Sequence, residues 1–446
     1  MKVALVHDFL IEYGGAERVL EALHEIWPKA PLYTAFYNPQ TLGPHTKKFK
    51  GWKIVTGWGT KLPLWQKLVS PYRVFSKSFF EHFDLSGFDL VVSSSNMYMA
   101  KAVIVPNGVH VCYCHTPPRF LYGYPTALNW RKNPLLRPIG EVINHFLRVW
   151  DFDAAQQPFR GSTPKAQSTP SGVEPQRSNG RVDYFIANSR EVQARIKKFY
   201  RRDSVVIYPP VDTKKFQISN FKFQISNKSR NQQVNGKWKM VNGKYFLVVS
   251  RLVGAKKVDL AIEVCAKLGL ALKVVGSGRE LENLKTLVRK HSGSESGSTI
   301  DFLGEVPDNQ LINLYQNCRA VIFPAEQEDF GLVPVEAMAA GKPVIANAQG
   351  GVLESIIDPS TRSARSGQVL STSKGKCTGV YFEPARNKLS YFDPATVGSL
   401  TLAINNFIDL EKKGYFDPKF IRRHAQKFSK ERFKREILKF VEGKVR

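Results

Sequence analysis

Acidic residues are scarce in this sequence. Across 446 residues, 38 Asp and Glu stand against 65 Lys and Arg, a formal net charge of +27. Such a surplus calls for a polyanionic partner, an anionic membrane surface or an acidic substrate, and does not choose among them. Long apolar runs are missing as well. No stretch approaches about 18 uninterrupted apolar residues, so no bilayer-spanning helix is expected. The opening MKVALVHDFLIEYGG breaks its short apolar run at His7 and Asp8, so no signal peptide is expected. Cysteine is sparse and odd in number: Cys112, Cys114, Cys265, Cys318 and Cys377. Their scatter argues against a disulfide framework and for a reduced, cytoplasmic setting. Cys112 and Cys114 would share a strand face, but no second pair follows at zinc spacing, so they read as buried strand cysteines.

What is present is core. A hydrophobic fraction of 43% with 12% aromatics suits well-filled interiors, and the length exceeds one ordinary domain. Strand, glycine turn and helix open the chain: Val3–Val6, Gly14-Gly15, then AERVLEALHEIW. Further buried strands are expected at 88–95, 102–106, 109–115, 182–189 and 204–212, where Tyr208-Pro209-Pro210 stops regular structure. The pattern then restarts, with strands at 244–252, 271–278, 299–306, 319–325 and 342–347 alternating with helices. The expectation is an α/β protein: a first domain over 1–208, a second over 209–415, and a basic C-terminal helix over 416–446. Three stretches interrupt it. Residues 156–180 are rich in Ser, Pro, Gly and Gln; 216–240 begin with a duplicated FQISN; 361–376 are Ser-rich and basic. Such compositions bury little apolar surface and read as surface insertions.

The strongest chemical signal is Glu328-Asp329-Phe330-Gly331-Leu332-Val333-Pro334-Val335-Glu336. One carboxylate precedes a glycine turn and the other lies in the helix beyond it. Gly331 lets the amides of a helix N-terminus approach an anion, which the helix dipole favours. Glu328 otherwise reads as a cap and Glu336 as dipole compensation on a solvated face. If Glu336 faces inward it needs a polar partner, which ribose hydroxyls would supply. A second signal is Ser250-Arg251-Leu252-Val253-Gly254-Ala255-Lys256-Lys257, directly after a strand. In doubly wound sheets ligands sit beyond the carboxyl ends of strands, and an Arg with a Lys suits a pyrophosphate. Weaker signals are the Gly14-Gly15 turn, the strand-end His115 in CHTPPR, and Gly276-Ser277-Gly278, half of a dinucleotide fingerprint.

Taken together, EDFGLVPVEAMAAGKPVIA, SRLVGAKKVDLAIE, VVGSGRELENLK, YCHTPPRF and GGAER resemble glycosyltransferase family 4, the group 1 retaining sugar-nucleotide transferases. The order of these motifs is most similar to the bacterial polysaccharide and O-antigen mannosyltransferase branch. The resemblance implies the GT-B fold, two Rossmann-like domains with parallel sheets facing a central cleft. It implies that Glu336 holds the donor ribose, Glu328 the sugar hydroxyls, and the amides of Phe330, Gly331 and Leu332 the sugar and its phosphate. Arg251 and Lys256 would neutralise the diphosphate, Gly15 would approach it from the first domain, and Val306 would flank the base. Gly14, Gly276 and Val333 complete the expected donor-binding set. His115 would hydrogen-bond the sugar near the reacting carbon, which makes His115 and Glu328 the expected catalytic pair. One departure is Lys257, where many relatives carry Gly. No cofactor is implied, since the nucleotide sugar is a substrate.

The chemistry then needs stabilisation of a departing nucleoside diphosphate. Two cations and a helix N-terminus supply it without metal. A front-face displacement, in which the leaving phosphate helps deprotonate the acceptor, is favoured over Glu328 as a covalent nucleophile. Asp151-Phe152-Asp153 matches a metal-binding Asp-x-Asp pattern but follows a helical stretch rather than a strand.

Charge placement points to the acceptor. Residues 26–80 contain no Asp or Glu, eight Lys, one Arg and four of the seven tryptophans: Trp27, Trp52, Trp58 and Trp65. A second acid-free window spans 90–140. Basic residues interleaved with Trp and Phe suit an anionic headgroup interface; the alternative is a solvated basic face over core aromatics. The expected partners are a nucleotide-sugar donor, a lipid-linked or glycan acceptor and the inner face of the plasma membrane, with no nucleic acid. GDP-mannose is the expected donor. The rivals are a UDP-sugar-dependent transferase, a sugar-nucleotide epimerase of the same fold, and a basic nucleic-acid-binding protein, for which no helix-turn-helix, zinc or RNA-binding motif is found.

Overall fold

The computed structural model describes residues 1–124, 137–157, 181–216, 233–234, 237–238, 243, 245–291, 299–359, 376–382 and 396–445. Most of the three expected insertions, 156–180, 216–240 and 361–376, lies outside these residues; a short antiparallel pair, Gln233–Val234 (β8) with Lys237–Trp238 (β9), falls within the second. The chain divides into two compact units, Met1–Pro210 with Phe433–Arg446, and Val211–Arg432.

The first unit is a seven-stranded parallel sheet. Its strands are Val3–His7 (β1), Leu32–Thr34 (β2), Ile54–Thr56 (β3), Leu90–Ser95 (β4), Val109–Cys114 (β5), Tyr184–Ala187 (β6) and Ser204–Val206 (β7), ordered β3-β2-β1-β4-β5-β6-β7. VALVH and LVVSSS are buried along their whole length, as parallel strands covered on both faces require. One core packs Leu5, Leu20, Leu23, Val92 and Tyr113 with Phe433, Ile437 and Val441 of the final helix. A second gathers Val6, Phe36, Phe79, Phe80, Val91 and Tyr98, and a third Cys112, Cys114, Phe185 and Tyr200. The second unit repeats the plan with Phe246–Val249 (β10), Leu272–Val275 (β11), Ile300–Gly304 (β12), Val321–Phe323 (β13), Val344–Asn347 (β14) and Gly379–Phe382 (β15). Its order is β12-β11-β10-β13-β14-β15, again parallel throughout. Each sheet therefore reverses its winding once, between β1 and β4 and between β10 and β13. These are the Rossmann switch points, where crevices open beyond the strand ends. The fold is GT-B, with two Rossmann-like units.

Several expectations need correction. Residues 102–106 form no strand: Ala100–Ala102 is a 3-10 turn, and β5 pairs directly with β4 from Val109, leaving no slot between them. Val103 and Val105 are buried as loop residues. The Asp8 carboxylate shapes this segment by accepting backbone N–H bonds from Asn96 (2.7 Å), Met97 (2.5 Å), Tyr98 (2.9 Å) and Ala100 (2.8 Å). The C-terminal segment is two helices, Pro418–Ala425 and Lys430–Val445, separated by a 3-10 turn and an extended Ser429. The four tryptophans of residues 26–80 do not stand out as rings at an interface. Trp27 and Trp52 pack on the first of these cores, Trp58 and Trp65 on the second. Trp52 stacks on His24 at 3.6 Å between centroids, and Trp65 on Phe36 at 5.5 Å. The lysines of the stretch do face water: Lys29, Lys47, Lys48, Lys50, Lys53, Lys61 and Lys67 are exposed.

Asp151 of the Asp-x-Asp pattern lies inside the Arg137–Ala154 helix and is fully buried. It pairs with buried Lys101 and accepts a 2.9 Å bond from the Tyr122 hydroxyl. Burial by itself would lower the Lys101 pKa, but the facing Asp151 carboxylate leaves it raised. The motif is a buried ion pair that ties this helix to the turn after β4.

Candidate active site

In the second unit the switch point is built from the loops that follow β10 and β13. The first runs Ser250–Lys257 and ends in a 3-10 turn over Gly254–Lys256. The second runs to Gly331, which caps the Leu332–Ala339 helix at φ +87°. A Cβ at Gly331 would adopt a strained left-handed conformation 3.4 Å from the Phe323 ring, so glycine is required for this entry. The loops are stitched together. The Glu326 N–H donates to Ala255 O at 3.1 Å, and Lys256 Nζ reaches Glu328 Oε2 at 2.5 Å. Burial pushes the Glu326 carboxyl up, only partly offset by Lys257. Glu328 is held from behind: its carbonyl accepts the Gly351 N–H at 2.8 Å.

The expected site residues divide by location. Lys256 and Glu328 are brought into contact, so the ammonium expected on the diphosphate lies against the carboxylate expected on the sugar. Arg251 is exposed at the end of β10. Gly276, at φ +125°, packs so closely that a Cβ would lie 1.9 Å from Ser250 O. With Ser250 N bonded to Val275 O at 3.0 Å and Leu252 N to Ser277 O at 2.8 Å, this turn supports the Arg251 loop from beneath. Val306 follows β12, half-buried at the same sheet edge. Phe330 is buried, with its ring 5.5 Å from Phe428, while Leu332 and Val333 are half-buried at the helix start. Glu336 is 2% exposed, which removes the solvated-face reading. The Tyr315 hydroxyl donates to its Oε2 at 2.8 Å. Tyr315 was not singled out by sequence because an aromatic in NQLINLYQNC reads as ordinary helix core.

In the first unit the residues converge on the other switch point. Gly15 begins the Gly15–Ile26 helix, and the Gly14 N–H is already committed to Glu17 Oε2 at 2.7 Å, so Gly14 offers no amide to a phosphate here. His115 directly follows β5 and is buried, its Nε2 2.8 Å from Ser94 Oγ. Ser94 Oγ also bonds His7 Nδ1 at 3.0 Å, and His7 Nε2 meets Glu17 Oε1 at 3.3 Å. Burial alone would raise the Glu17 pKa, but His7 and the Gly14 and Glu17 amides bring it below the usual carboxylate value. Sequence reading missed His7, Glu17 and Ser94. The one available signal was Glu17 at the third helical position after Gly14, capping-box spacing.

Comparison with known proteins places the second-unit residues in a family segment. Residues 230–364 match the family model described as glycosyl transferases, group 1. That segment contains Arg251, Lys256, Gly276, Val306, Glu328, Phe330 to Val333 and Glu336; Gly14, Gly15 and His115 lie outside it. The chain is 36% identical over 113 residues to a D-inositol 3-phosphate glycosyltransferase of Mycolicibacterium smegmatis, covering 25% of this chain and 26% of that protein. It is 30% identical over 201 residues to an α-1,3/1,6-mannosyltransferase of Homo sapiens, covering 40% and 45%. The chain thus spans less than half the length of each. Among solved structures, the Anabaena protein HepE in complex with UDP and glucose superposes with a TM-score of 0.61 at 17% identity, over 99% of this chain and 100% of that one.

Proposed function

We propose that the protein is a retaining, metal-independent glycosyltransferase that moves mannose from GDP-mannose to a lipid-linked or polysaccharide acceptor. The observation that carries this reading is the Lys256–Glu328 pair bridging the two switch-point loops inside the group 1 segment. A departing diphosphate competes with Glu328 for Lys256, and the carboxylate so released accepts from sugar hydroxyls. Cation, exposed Arg251 and the Gly331 helix start then face the charge that develops on the leaving group. Glu336, buried beneath them and partly satisfied by Tyr315, is positioned to hold the ribose. Front-face displacement needs no protein nucleophile, and in this reading Glu328 only accepts hydrogen bonds from the sugar. The mannosyltransferase relative supports mannose as the sugar.

For the acceptor we favour a lipid-linked molecule at an anionic membrane surface. Support comes from the exposed lysines of residues 26–80 and from the Arg137–Ala154 helix, which exposes Ile139, Val142, Ile143, Phe146 and Val149 at helical spacing. The two regions adjoin: Lys77 Nζ lies 5.9 Å from the Trp150 ring of that helix. Among the described residues no helix is long and apolar enough to cross a membrane. A thermal-shift titration tests the donor site. GDP at about 100 times its Kd stabilises the folded protein by about 2.7 kcal/mol. No shift with GDP or UDP, accompanied by salt-sensitive DNA binding, would reverse the reading.

A further inference from the structure

Arg73 belongs to the 3-10 turn Pro71–Phe75 and is half-buried in the first unit. Its guanidinium carbon stands 4.3 Å from the centre of the Phe120 ring and 5.5 Å from that of Tyr98. Both rings lie past the carboxyl ends of strands, Tyr98 after β4 and Phe120 after β5. The same edge carries Asp8, directly after β1. Arg73 therefore reaches the first unit's switch point, where a ligand of that sheet belongs. The rings hold the guanidinium plane in place through cation–π contact.

What Arg73 lacks is a bonded counter-charge. Among the described residues its one hydrogen bond is long, from Nη2 to Ser70 Oγ at 3.5 Å. Its Nε is buried and donates to nothing; the buried Tyr98 hydroxyl faces the guanidinium without the alignment of a hydrogen bond and has no partner either. The sheltered Arg181, Arg195 and Arg319 differ, each meeting a glutamate carboxylate at 3.2, 3.3 and 2.6 Å. Asp8 acts on Arg73 only through space, because its oxygens already accept four backbone N–H groups. Glu81 is taken by Arg181 at 3.2 Å and Lys77 at 3.8 Å. Burial works against the Arg73 charge, and Tyr98 and Asp8 offset it in part. A guanidinium cannot shed that charge, so the remaining way to satisfy it is an incoming oxyanion gripped by two N–H groups.

The surroundings narrow the oxyanion. Lys77, one turn beyond Arg73, lies 5.9 Å from the Trp150 ring of the Arg137–Ala154 helix. From that same helix Arg148 Nη1 donates to Leu121 O at 3.2 Å, next to Phe120. The cation thus adjoins the helix that exposes Ile139, Val142 and Phe146. We propose that Arg73 is the subsite for the phosphate of a lipid-linked acceptor, whose hydrocarbon is taken by the exposed apolar residues of that helix. Arg73 binds and orients; no proton or bond changes hands there. The role of this phosphate as part of the acceptor rests on the transferase reading, whereas the anion subsite itself does not.

The test is calorimetric titration of the full chain with farnesyl phosphate below its micelle concentration, with GDP saturating throughout. Farnesol and inorganic phosphate are run as the two separated halves of the probe. Farnesyl phosphate is expected to bind more tightly than either half. Arg73→Gln should raise its Kd about 10- to 100-fold, the loss expected for a charge-assisted bond, and leave farnesol unaffected. Arg73→Lys keeps the charge and the packing but loses the fork, and should fall between the two. Melting curves check that both variants are folded. A farnesyl phosphate Kd unchanged in folded Arg73→Gln and Arg73→Lys overturns the proposal. Inorganic phosphate binding as tightly as farnesyl phosphate would overturn the lipid assignment, and displacement by an equal concentration of glucuronate would overturn the choice of phosphate. In transfer assays Arg73→Gln should raise the KM of a lipid-phosphate acceptor at least tenfold with the donor KM within about twofold. No transfer by any form, with Arg73-dependent binding of farnesyl phosphate intact, would sink the transferase reading and leave the subsite standing.

Discussion

Lys256 and Glu328 stand 72 residues apart in sequence, yet their charged groups meet at 2.5 Å. Each comes from a loop that follows one of the two strands flanking the switch point of the second sheet. Their side chains are about one-fifth exposed, open enough for a ligand to insert and sheltered enough for charge to count.

Removing either partner should therefore cost turnover more than folding. Lys256→Met is expected to lower kcat by about 10²–10³-fold, the loss seen when one preorganised donor to a developing anion is deleted. Glu328→Gln keeps the shape and removes the charge, and should also reduce transfer strongly. Undiminished transfer by Glu328→Gln contradicts the role given to it. Steady-state kinetics with melting curves as a folding control measure both.

Tyr315→Phe deletes the hydroxyl that donates to buried Glu336. An under-satisfied buried carboxylate costs about 1–3 kcal/mol, so the melting temperature should fall. Calorimetry should also show altered GDP affinity, because the carboxylate assigned to the ribose has lost a fixed donor. A lower melting temperature with unchanged GDP binding would confine Glu336 to a structural role.

Asp151→Asn should destabilise the first unit by about 3–5 kcal/mol, since it strands the buried Lys101 charge. EDTA should leave wild-type transfer unchanged. Activity lost to EDTA and restored by a divalent ion would revive the metal reading of this motif.

Acid should weaken the second unit through His424. Its ring donates from Nε2 to Ser355 O at 2.7 Å, and burial pushes its pKa from 6.5 down to about 4. The unfolded chain takes up a proton below about pH 6.5 that the folded chain refuses until about pH 4. Stability is thus full above the higher value and declines between the two, by about 3 kcal/mol in all. Melting curves across this range should show a decline that is smaller in His424→Gln.

Lys257 holds φ +50° and ψ +39°, the left-handed region where a side chain costs about 1–2 kcal/mol. Lys257→Gly should leave the loop in place and stabilise it by about 1 kcal/mol, measured by thermal melting. The sequence departure noted at this position is therefore a local strain carried by the loop that bears Lys256.

Much of this architecture was legible from residue order. Buried runs such as FLVV and KVV, each followed by a glycine or polar turn and a helix, mark parallel strands without ambiguity. β2, β3 and β15 were missed because three or four residues, as in LYT, IVT and GVYF, carry too little pattern to separate from loop. Residues 102–106 were assigned wrongly for the converse reason: AVIVP has strand composition, but Asp8 turns the preceding segment and β5 occupies the sheet position. At the site, Glu328, Lys256 and Glu336 were legible because charge in an apolar frame is conspicuous. Their coupling was not, since no local rule says that loops 72 residues apart share a sheet edge. His7 and Ser94 were invisible for the same reason: each is unremarkable alone and acquires meaning only from strand order, while Glu17 offered only its capping-box spacing. The tryptophans of residues 26–80 misled in another way, because composition cannot tell a ring on a core from a ring at a membrane. Vesicle sedimentation now reads out the exposed alternative: Phe146→Ser with Val142→Ser should reduce binding to anionic vesicles while leaving soluble-acceptor transfer intact.

The most direct measurement is hydrolysis and transfer by the purified chain across a panel of nucleotide sugars, with Lys256→Met alongside. The expected result is turnover of GDP-mannose, release of GDP with retained anomeric configuration, and loss of both in the variant. Turnover of a UDP-sugar in its place would correct the donor and keep the site. No turnover of any nucleotide sugar, or turnover indifferent to Lys256, would contradict the claim that this switch point binds a sugar nucleotide and drives its cleavage.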